Sequence, residues 1–406
     1  AAYSASDLGI VFTVYNIPGP FCMIAGGWLN RRIEVRRLIQ MGSVLFVAGL
    51  LLCSRATTLG GLVVGFGLLV GFGVGTVYGC TVNNSVKLFP DKRGLAGGLT
   101  TGVYGLSSVL VPPVANVMIR NWGVSAAFQI IAVCFAVVLL LASAFVEQGP
   151  EEAGQMLPGG GRDMSWREML CQKKFYGMCA MLLCGGLSGM MVISSASDMA
   201  QVEAGFSPAA AALMVSVLSL FNAGGRASAG ILSDKLGRIG TLSLVFPISV
   251  AALCALFFFG QDSMAVFAVS IALVGACFGA LMGIFPGFTA DEFGQRNNTV
   301  NYGILFFGFA LSGMLGPQVA SWVMSGTGSY RSAFLIAAVV ALAGFALTFL
   351  HRRLAAHCGR TFYFPCRVSP CWRNLRDTVE GSIFKIWLAS FRLRAYRRAF
   401  SRYFFS

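Results

Sequence analysis

Apolar stretches long enough to cross a bilayer recur along this chain, each closed by a short polar turn. A spanning helix needs about 20 such residues. The stretches fall at 7–29, 38–54, 58–82, 95–119, 124–146, 174–199, 208–232, 240–260, 264–288, 299–324 and 330–350. This pattern predicts an all-α membrane protein with eleven helices present. Between the fifth and sixth lies a polar stretch, 147–173, rich in proline and glycine (Gly149-Pro150-Glu151-Glu152, then Pro158-Gly159-Gly160-Gly161), which reads as a linker.

The pattern also repeats. At one constant offset Gly26 falls on Gly230, Asn30 on Asp234, Arg31 on Lys235, Phe89 on Phe293, Lys92 on Arg296 and Pro113 on Pro317. Leu69-Val70-Gly71, Gly75 and Gly79 fall on Leu273-Val274-Gly275, Gly279 and Gly283. One offset shared by separate pairs of spans implies two parallel halves of six helices each. The halves are 1–146 (helices 2–6) and 174–350 (helices 7–12), with the linker 147–173 between them and a basic, aromatic tail, 351–406, after them. The segment 174–199 has no counterpart at this offset, so a first helix is expected ahead of residue 1. Without it, one face of the first bundle would be bare and the chain inactive.

Of the 406 residues, 56% are hydrophobic, and 11% are charged, against roughly 25% charged in soluble domains. In a soluble protein the net charge of +14 would suggest nucleic acid. Here the cations sit in turns, so no nucleic-acid partner is expected and topology is the better explanation. Arg31, Arg32, Arg36 and Arg37, then Lys87, Lys92 and Arg93, then Arg162, Arg167, Lys173 and Lys174 occupy alternate connections. Lys235 and Arg238, Arg296, and Arg352 and Arg353 continue the series, while the intervening loops hold Arg55, Arg120 and Arg331. The positive-inside rule puts the first set, and the C-terminus, in the cytoplasm of a bacterial inner membrane. The 12 cysteines lie mostly inside apolar runs and read as small packing residues. Glycines at four-residue spacing, Gly67 to Gly79 and Gly275 to Gly283, read as helix-packing faces. Pro112-Pro113 and Pro317 are expected to kink the two related spans.

The strongest motif is Gly230-Ile231-Leu232-Ser233-Asp234-Lys235-Leu236-Gly237-Arg238 at the cytoplasmic end of a span. It resembles the loop signature of the major facilitator superfamily, G-x-L-x-D-R/K-x-G-R/K. Gly230 lets helices approach. Asp234 can accept hydrogen bonds from a neighbouring helix N-terminus and pair with an arginine. The resemblance implies that Gly230, Asp234, Lys235, Gly237 and Arg238 form a conformational gate that latches the outward-facing state. The first-half copy, Gly26 to Glu34, has Asn30 in place of the acid and Ile33 in place of the second glycine, so its latch is expected to be weak or absent.

Further motifs are Leu88-Phe89-Pro90-Asp91-Lys92-Arg93-Gly94, Asn222-Ala223-Gly224-Gly225-Arg226, Asn301-Tyr302-Gly303, and Met191-Val192-Ile193-Ser194 ahead of Asp198-Met199-Ala200-Gln201. Together they resemble the oxalate/formate antiporter family over roughly 3–350. The resemblance implies a small organic anion as substrate. Arg226 lies eight residues before Asp234, about 12 Å deeper in the span. A cation there is costly unless it faces a wet cavity or an anion. It clamps a substrate carboxylate, or it is a structural arginine satisfied by helix carbonyls or by the Asp234 network. The resemblance also implies a second cation, a lysine, in the penultimate span. Phe309 stands at that position, and 299–324 holds no lysine or arginine. A monocarboxylate is therefore favoured over a dianion.

Tyr15, Tyr78, Tyr104, Asn222, Asn301 and Tyr302, with Arg226 and Phe309, make up the expected substrate site. Asn16, Asn83 and Asn84 are weaker candidates, and Asp198 reads as a gate or surface group. The expected protein is a monomeric secondary transporter with membrane lipid around it, a proton as the candidate coupling ion and no cofactor. The remaining classes are a drug or sugar carrier and a non-transporting membrane sensor. No catalytic set or phosphate-binding loop is present, so an enzyme is not expected. The tail segment 382–403, with Arg392, Arg394, Arg397, Arg398 and Arg402 among aromatics, suits an amphipathic surface helix or an out-of-frame extension. His351, His357, Cys358, Cys366 and Cys371 match no standard zinc spacing.

Overall fold

In hydrocarbon there is no water for a bare peptide group, so a spanning chain must close its own hydrogen bonds. This one does so as helices. The computed structural model describes residues 5–149 and 163–358. Ten helical stretches among them are long and apolar enough to cross a membrane. The longest, Pro90–Ala144, breaks at Gly123 (φ 80°, ψ 169°), which divides it into two spans.

The eleven spans are α1 (Ala5–Asn16 and Pro18–Leu29), α2 (Val35–Arg55), α3 (Leu59–Leu88), α4 (93–122), α5 (124–144), α6 (Lys173–Ile193), α7 (Pro208–Leu236), α8 (Arg238–Phe259), α9 (Met264–Phe293), α10 (Asn298–Thr327) and α11 (Arg331–Cys358). Short helices precede and follow α6, at Trp166–Leu170 and Ala196–Ala204. Pro112 and Pro113 sit inside α4 and Pro317 inside α10; the non-helical residue in the long stretch is Gly123. α11 continues past the apolar run through Leu354-Ala355-Ala356, all good helix formers.

Small residues set how closely the helices pack. A side chain at Gly67, Gly71 or Gly79 of α3 would run into Val14, Tyr15 or Met23 of α1. One at Gly275, Gly279 or Gly283 of α9 would meet the carbonyls of Leu218, Asn222 and Arg226 in α7. These faces hold backbone against backbone, where dispersion contacts replace the hydrophobic drive that lipid cannot supply. The second half has a continuous core that includes Phe246, Leu253, Phe267, Phe285, Phe288 and Phe334.

The halves meet chiefly through two helix pairs, α4 with α7 and the Pro18–Leu29 part of α1 with α10, and α4 also packs on α9. By the repeat, α1 corresponds to α7 and α4 to α10, so each pair is the pseudo-twofold image of the other. Both ends of the linker are pinned beside this seam. Asn84 Nδ2 donates to the Glu147 carbonyl and its Oδ1 accepts from Gly149 N, each at 2.8 Å. Met164 N donates to the Phe293 carbonyl at 2.9 Å. The middle of the linker and the tail with its 382–403 segment lie outside the described residues.

Candidate functional site

Two groups of polar side chains lie between the halves, one at the cation-rich end and one about two helical turns deeper. The first is built on the α7–α8 turn. Gly237 takes φ 78°, a value that side-chain-bearing residues rarely adopt, and so permits the turn. Asp234 Oδ1 and Oδ2 then accept from the backbone N–H groups of Gly94 and Leu95, each at 2.8 Å. These amides open α4, where free N–H groups and the helix dipole favour an anion. Arg238 Nη1 pairs with Asp234 Oδ1 at 2.8 Å, and its Nε pairs with Asp291 Oδ2 at 2.7 Å. Arg93 Nη1 closes the ring on Asp291 Oδ1 at 2.8 Å. A side chain at Gly230 would meet the Gly94 carbonyl and Gly98, so this glycine sets the α4–α7 spacing. Lys235 stands exposed beside the ring.

The first-half copy behaves differently. Asn30 Oδ1 is buried without a partner. Arg31 instead donates to Asn297 Oδ1 across the seam at 2.6 Å. Asn297 Nδ2 in turn donates to the Met164 carbonyl of the linker at 3.0 Å. Next to it, Asn298 Nδ2 donates to Asn83 Oδ1 at 2.7 Å, with both side chains buried. The two halves are therefore tied at this end by an ionic ring on one side and an amide seam on the other.

The deeper group centres on Arg226 of α7. Its Nε donates to Asn222 Oδ1, one turn back on the same helix, at 2.9 Å. Its Nη1 donates across the seam to the Thr101 carbonyl of α4 at 3.2 Å. No described carboxylate pairs with it. The guanidinium lies over Gly105, where an added Cβ would sit 3.2 Å from Nε. The charge of Arg226 acts on Tyr78, Tyr104 and Tyr302, and Tyr15 interacts with Tyr104. Tyr78 and Tyr104 pack edge to face with centroids 5.1 Å apart. Tyr302 is fully buried, and its hydroxyl meets the Tyr78 phenol without ordinary hydrogen-bond geometry. An aromatic wall continues from Tyr302 to Phe306 (5.6 Å), Phe309 (4.6 Å further) and Phe278.

The fold thus brings Arg226, Asn222, Tyr15, Tyr78, Tyr104 and Tyr302 together, with Phe309 along the wall. It does not bring Asn301 to them. That side chain is buried and donates to the Met164 carbonyl at 3.1 Å, so it holds the linker. The helix turns Asn301 about 100° away from Tyr302. Asn83 and Asn84 serve the seam and the linker, and Asn16 donates to the Phe12 carbonyl. At the opposite end Glu203 is buried and accepts from Gln261 Nε2, Ser329 Oγ and Tyr330 N. Burial pushes the Tyr330 hydroxyl above its ordinary pKa, and the charge of Asp198 adds to the effect. His351 lies edge-on to Phe288, with Nε2 3.8 Å from Glu292 Oε1.

Sequence reasoning missed Asp291, Arg93 and Thr101. A signal for Asp291 existed: the repeat sets it against Lys87, an inversion of charge at a helix end. Thr101 acts through its carbonyl, which no side-chain pattern reveals.

A family model described as the Major Facilitator Superfamily matches residues 2–317. The oxalate:formate antiporter of Oxalobacter formigenes is 28% identical over 357 residues, spanning 87% of this chain and 83% of that protein. Monocarboxylate transporter 13 of Rattus norvegicus is 25% identical over 324 residues, spanning 79% and 74%. Among solved structures, the E. coli transporter FucP in its outward conformation superposes with a TM-score of 0.67 at 15% identity, over 86% of this chain and 91% of that one, a likeness of fold.

Proposed function

The chain belongs to the Major Facilitator Superfamily, and on that premise we propose that it carries small monocarboxylates, such as formate or lactate, across a bacterial inner membrane by alternating access. The carrying observation is Arg226, a guanidinium between the halves that no described carboxylate neutralises. A guanidinium stays protonated in proteins and presents a fork that matches a carboxylate. Among small solutes an anion gains most from such a group. Tyr15, Tyr78, Tyr104 and Tyr302 supply hydroxyls and ring faces around it. Phe309 and Phe306 offer apolar surface to a short carbon chain and no second counter-charge, which disfavours a dianion.

The relatives named as carriers of oxalate, formate and monocarboxylates support the same substrate class. Exchange is favoured over proton symport, because no described carboxylate lies beside Arg226 to carry a proton. The ring of Asp234, Arg238, Asp291 and Arg93 holds the cation-rich end shut and opens when the halves rock. That end, with the C-terminus, faces the cytoplasm. A drug or sugar carrier would have no use for a bare cation at this depth.

The test is uptake of labelled formate, lactate and oxalate by the full-length protein in liposomes, beside Arg226→Gln. Saturable monocarboxylate uptake that falls at least about tenfold in the variant is expected, the worth of one charge-assisted contact. Uptake indifferent to Arg226, or tight oxalate exchange, would overturn the reading.

A further inference from the structure

We infer that Asn222 is a positioning residue: it fixes the guanidinium of Arg226 for the substrate carboxylate while leaving its charge intact. The inference rests on the proposed role of Arg226 and goes further. It assigns the residue that makes Arg226 an anion site rather than half of an ion pair.

The geometry carries it. Asn222 and Arg226 are one turn apart on α7, the spacing at which side chains on one helix face meet. Asn222 Oδ1 takes the Nε–H at 2.9 Å, and the Thr101 carbonyl takes one Nη1–H at 3.2 Å. A guanidinium has five N–H donors. Two are therefore committed, and they stop the side chain from rotating. The other three, one on Nη1 and both on Nη2, have no described partner and are free for a ligand. The backbone beneath is equally fixed, because the carbonyls of Asn222 and Arg226 lie against Gly279 and Gly283 of α9. Gly105 of α4 leaves the guanidinium its space.

The choice of an amide is what matters. An aspartate here would reach the same Nε with the same shape, but as an anion. It would close an ion pair within α7, cancel the charge and occupy part of the fork. A substrate carboxylate would then have to displace it. Asparagine accepts the hydrogen bond without neutralising the cation. The surrounding ionisable groups cannot take over this role, since Tyr104 of α4, Tyr78 of α3, Tyr302 of α10 and Tyr15 of α1 are phenols. At this level α9 presents Ala276, Gly279 and Gly283.

A residue that merely packs would tolerate the isosteric Asn222→Asp better than Asn222→Ala. Positioning predicts the reverse order in affinity. The experiment measures KM and Vmax for labelled formate and lactate with the full-length protein in liposomes. It compares wild type, Asn222→Ala, Asn222→Asp and Arg226→Gln, each first shown monodisperse in detergent. Asn222→Ala is expected to raise KM roughly two- to tenfold, and Asn222→Asp roughly 10- to 100-fold, the difference between a neutral and a charge-assisted hydrogen bond. For Asn222→Ala, Vmax should stay within about twofold of wild type, since on this reading only binding of the anion changes.

If Arg226→Gln transports like wild type, the anion-clamp reading itself fails. If Arg226→Gln is inactive while Asn222→Asp keeps the wild-type KM, the clamp stands and the positioning role is overturned. Should Asn222→Asp fail to fold, Asn222→Leu decides. It has similar size and no acceptor, so a raised KM at retained Vmax supports the inference and an unchanged KM sinks it.

Discussion

Tyr302 carries a fully buried hydroxyl that meets the Tyr78 phenol without ordinary hydrogen-bond geometry, within electrostatic reach of Arg226. A buried polar group left alone costs about 1–3 kcal/mol. Native structures pair the great majority of buried polar groups with protein or ordered water. On the proposed function, a bound carboxylate held by Arg226 would supply a stronger acceptor than the Tyr78 phenol. Tyr302→Phe should therefore separate stability from function. Detergent-solubilised Tyr302→Phe is expected to be as stable as wild type or more so, by up to about 1 kcal/mol. Its KM for formate should rise severalfold at retained Vmax. A drop in melting temperature with an unchanged KM would make Tyr302 a packing residue. Asn301, its neighbour in sequence, shows how one residue of helical twist changes a role: it holds the linker at Met164.

Among the elements, the α7–α8 turn and the start of α4 form a joint that neither could make alone. Asp234 caps a helix of the opposite half, and Asp291 at the end of α9 bridges Arg93 and Arg238. Replacing Asp291 with Asn leaves two arginines facing each other with Asp234 as the remaining carboxylate. About a third of the Asp291 side chain stays in solvent, so the loss is expected at about 1–2 kcal/mol rather than that of a fully buried pair. On the proposed gating role of the ring, this should shift population toward the state open at the cation-rich end. Labelling of a cysteine placed at Thr101, a fully buried position of α4 where the side chain is of similar size, should accelerate in Asp291→Asn; an unchanged rate would mean that the ring does not restrain the seam. The eleven spans, the repeat and the motif at Asp234 were legible in the sequence because each rests on apolar period, spacing or a turn that needs glycine. The partners of that motif were not. Arg93 and Asp291 come from helices almost 200 residues apart, and pairing over such a distance leaves no local pattern. The break in the long α4–α5 stretch was legible as well: the apolar runs 95–119 and 124–146 leave 120–123 between them, and Gly123 supplies the turn.

At the scale of the whole molecule, the pseudo-twofold arrangement puts α7 and α4 on one side of the seam and α1 and α10 on the other, with the only described mid-span guanidinium between them. The charge decides how the carrier can cycle. Under the proposed alternating access, the site passes through a state closed at both ends, and there an unpaired cation loses its access to water. A bare charge in that setting is expensive. On the proposed function a bound monocarboxylate would neutralise it, so the loaded site would cross far more easily than the empty one. A nearby acid could relieve the empty site by releasing a proton and pairing with the cation, but Asn222 occupies the place where such an acid would sit. Transport should therefore be an exchange. Liposomes preloaded with unlabelled formate are expected to take up labelled formate at least about tenfold faster than empty ones, the ratio that about 1.4 kcal/mol of extra barrier produces. An inward proton gradient imposed on empty liposomes should leave the slow rate unchanged. Rapid accumulation under that gradient would instead mean that a proton travels with the anion, and the group that carries it would have to be sought beyond the surroundings of Arg226.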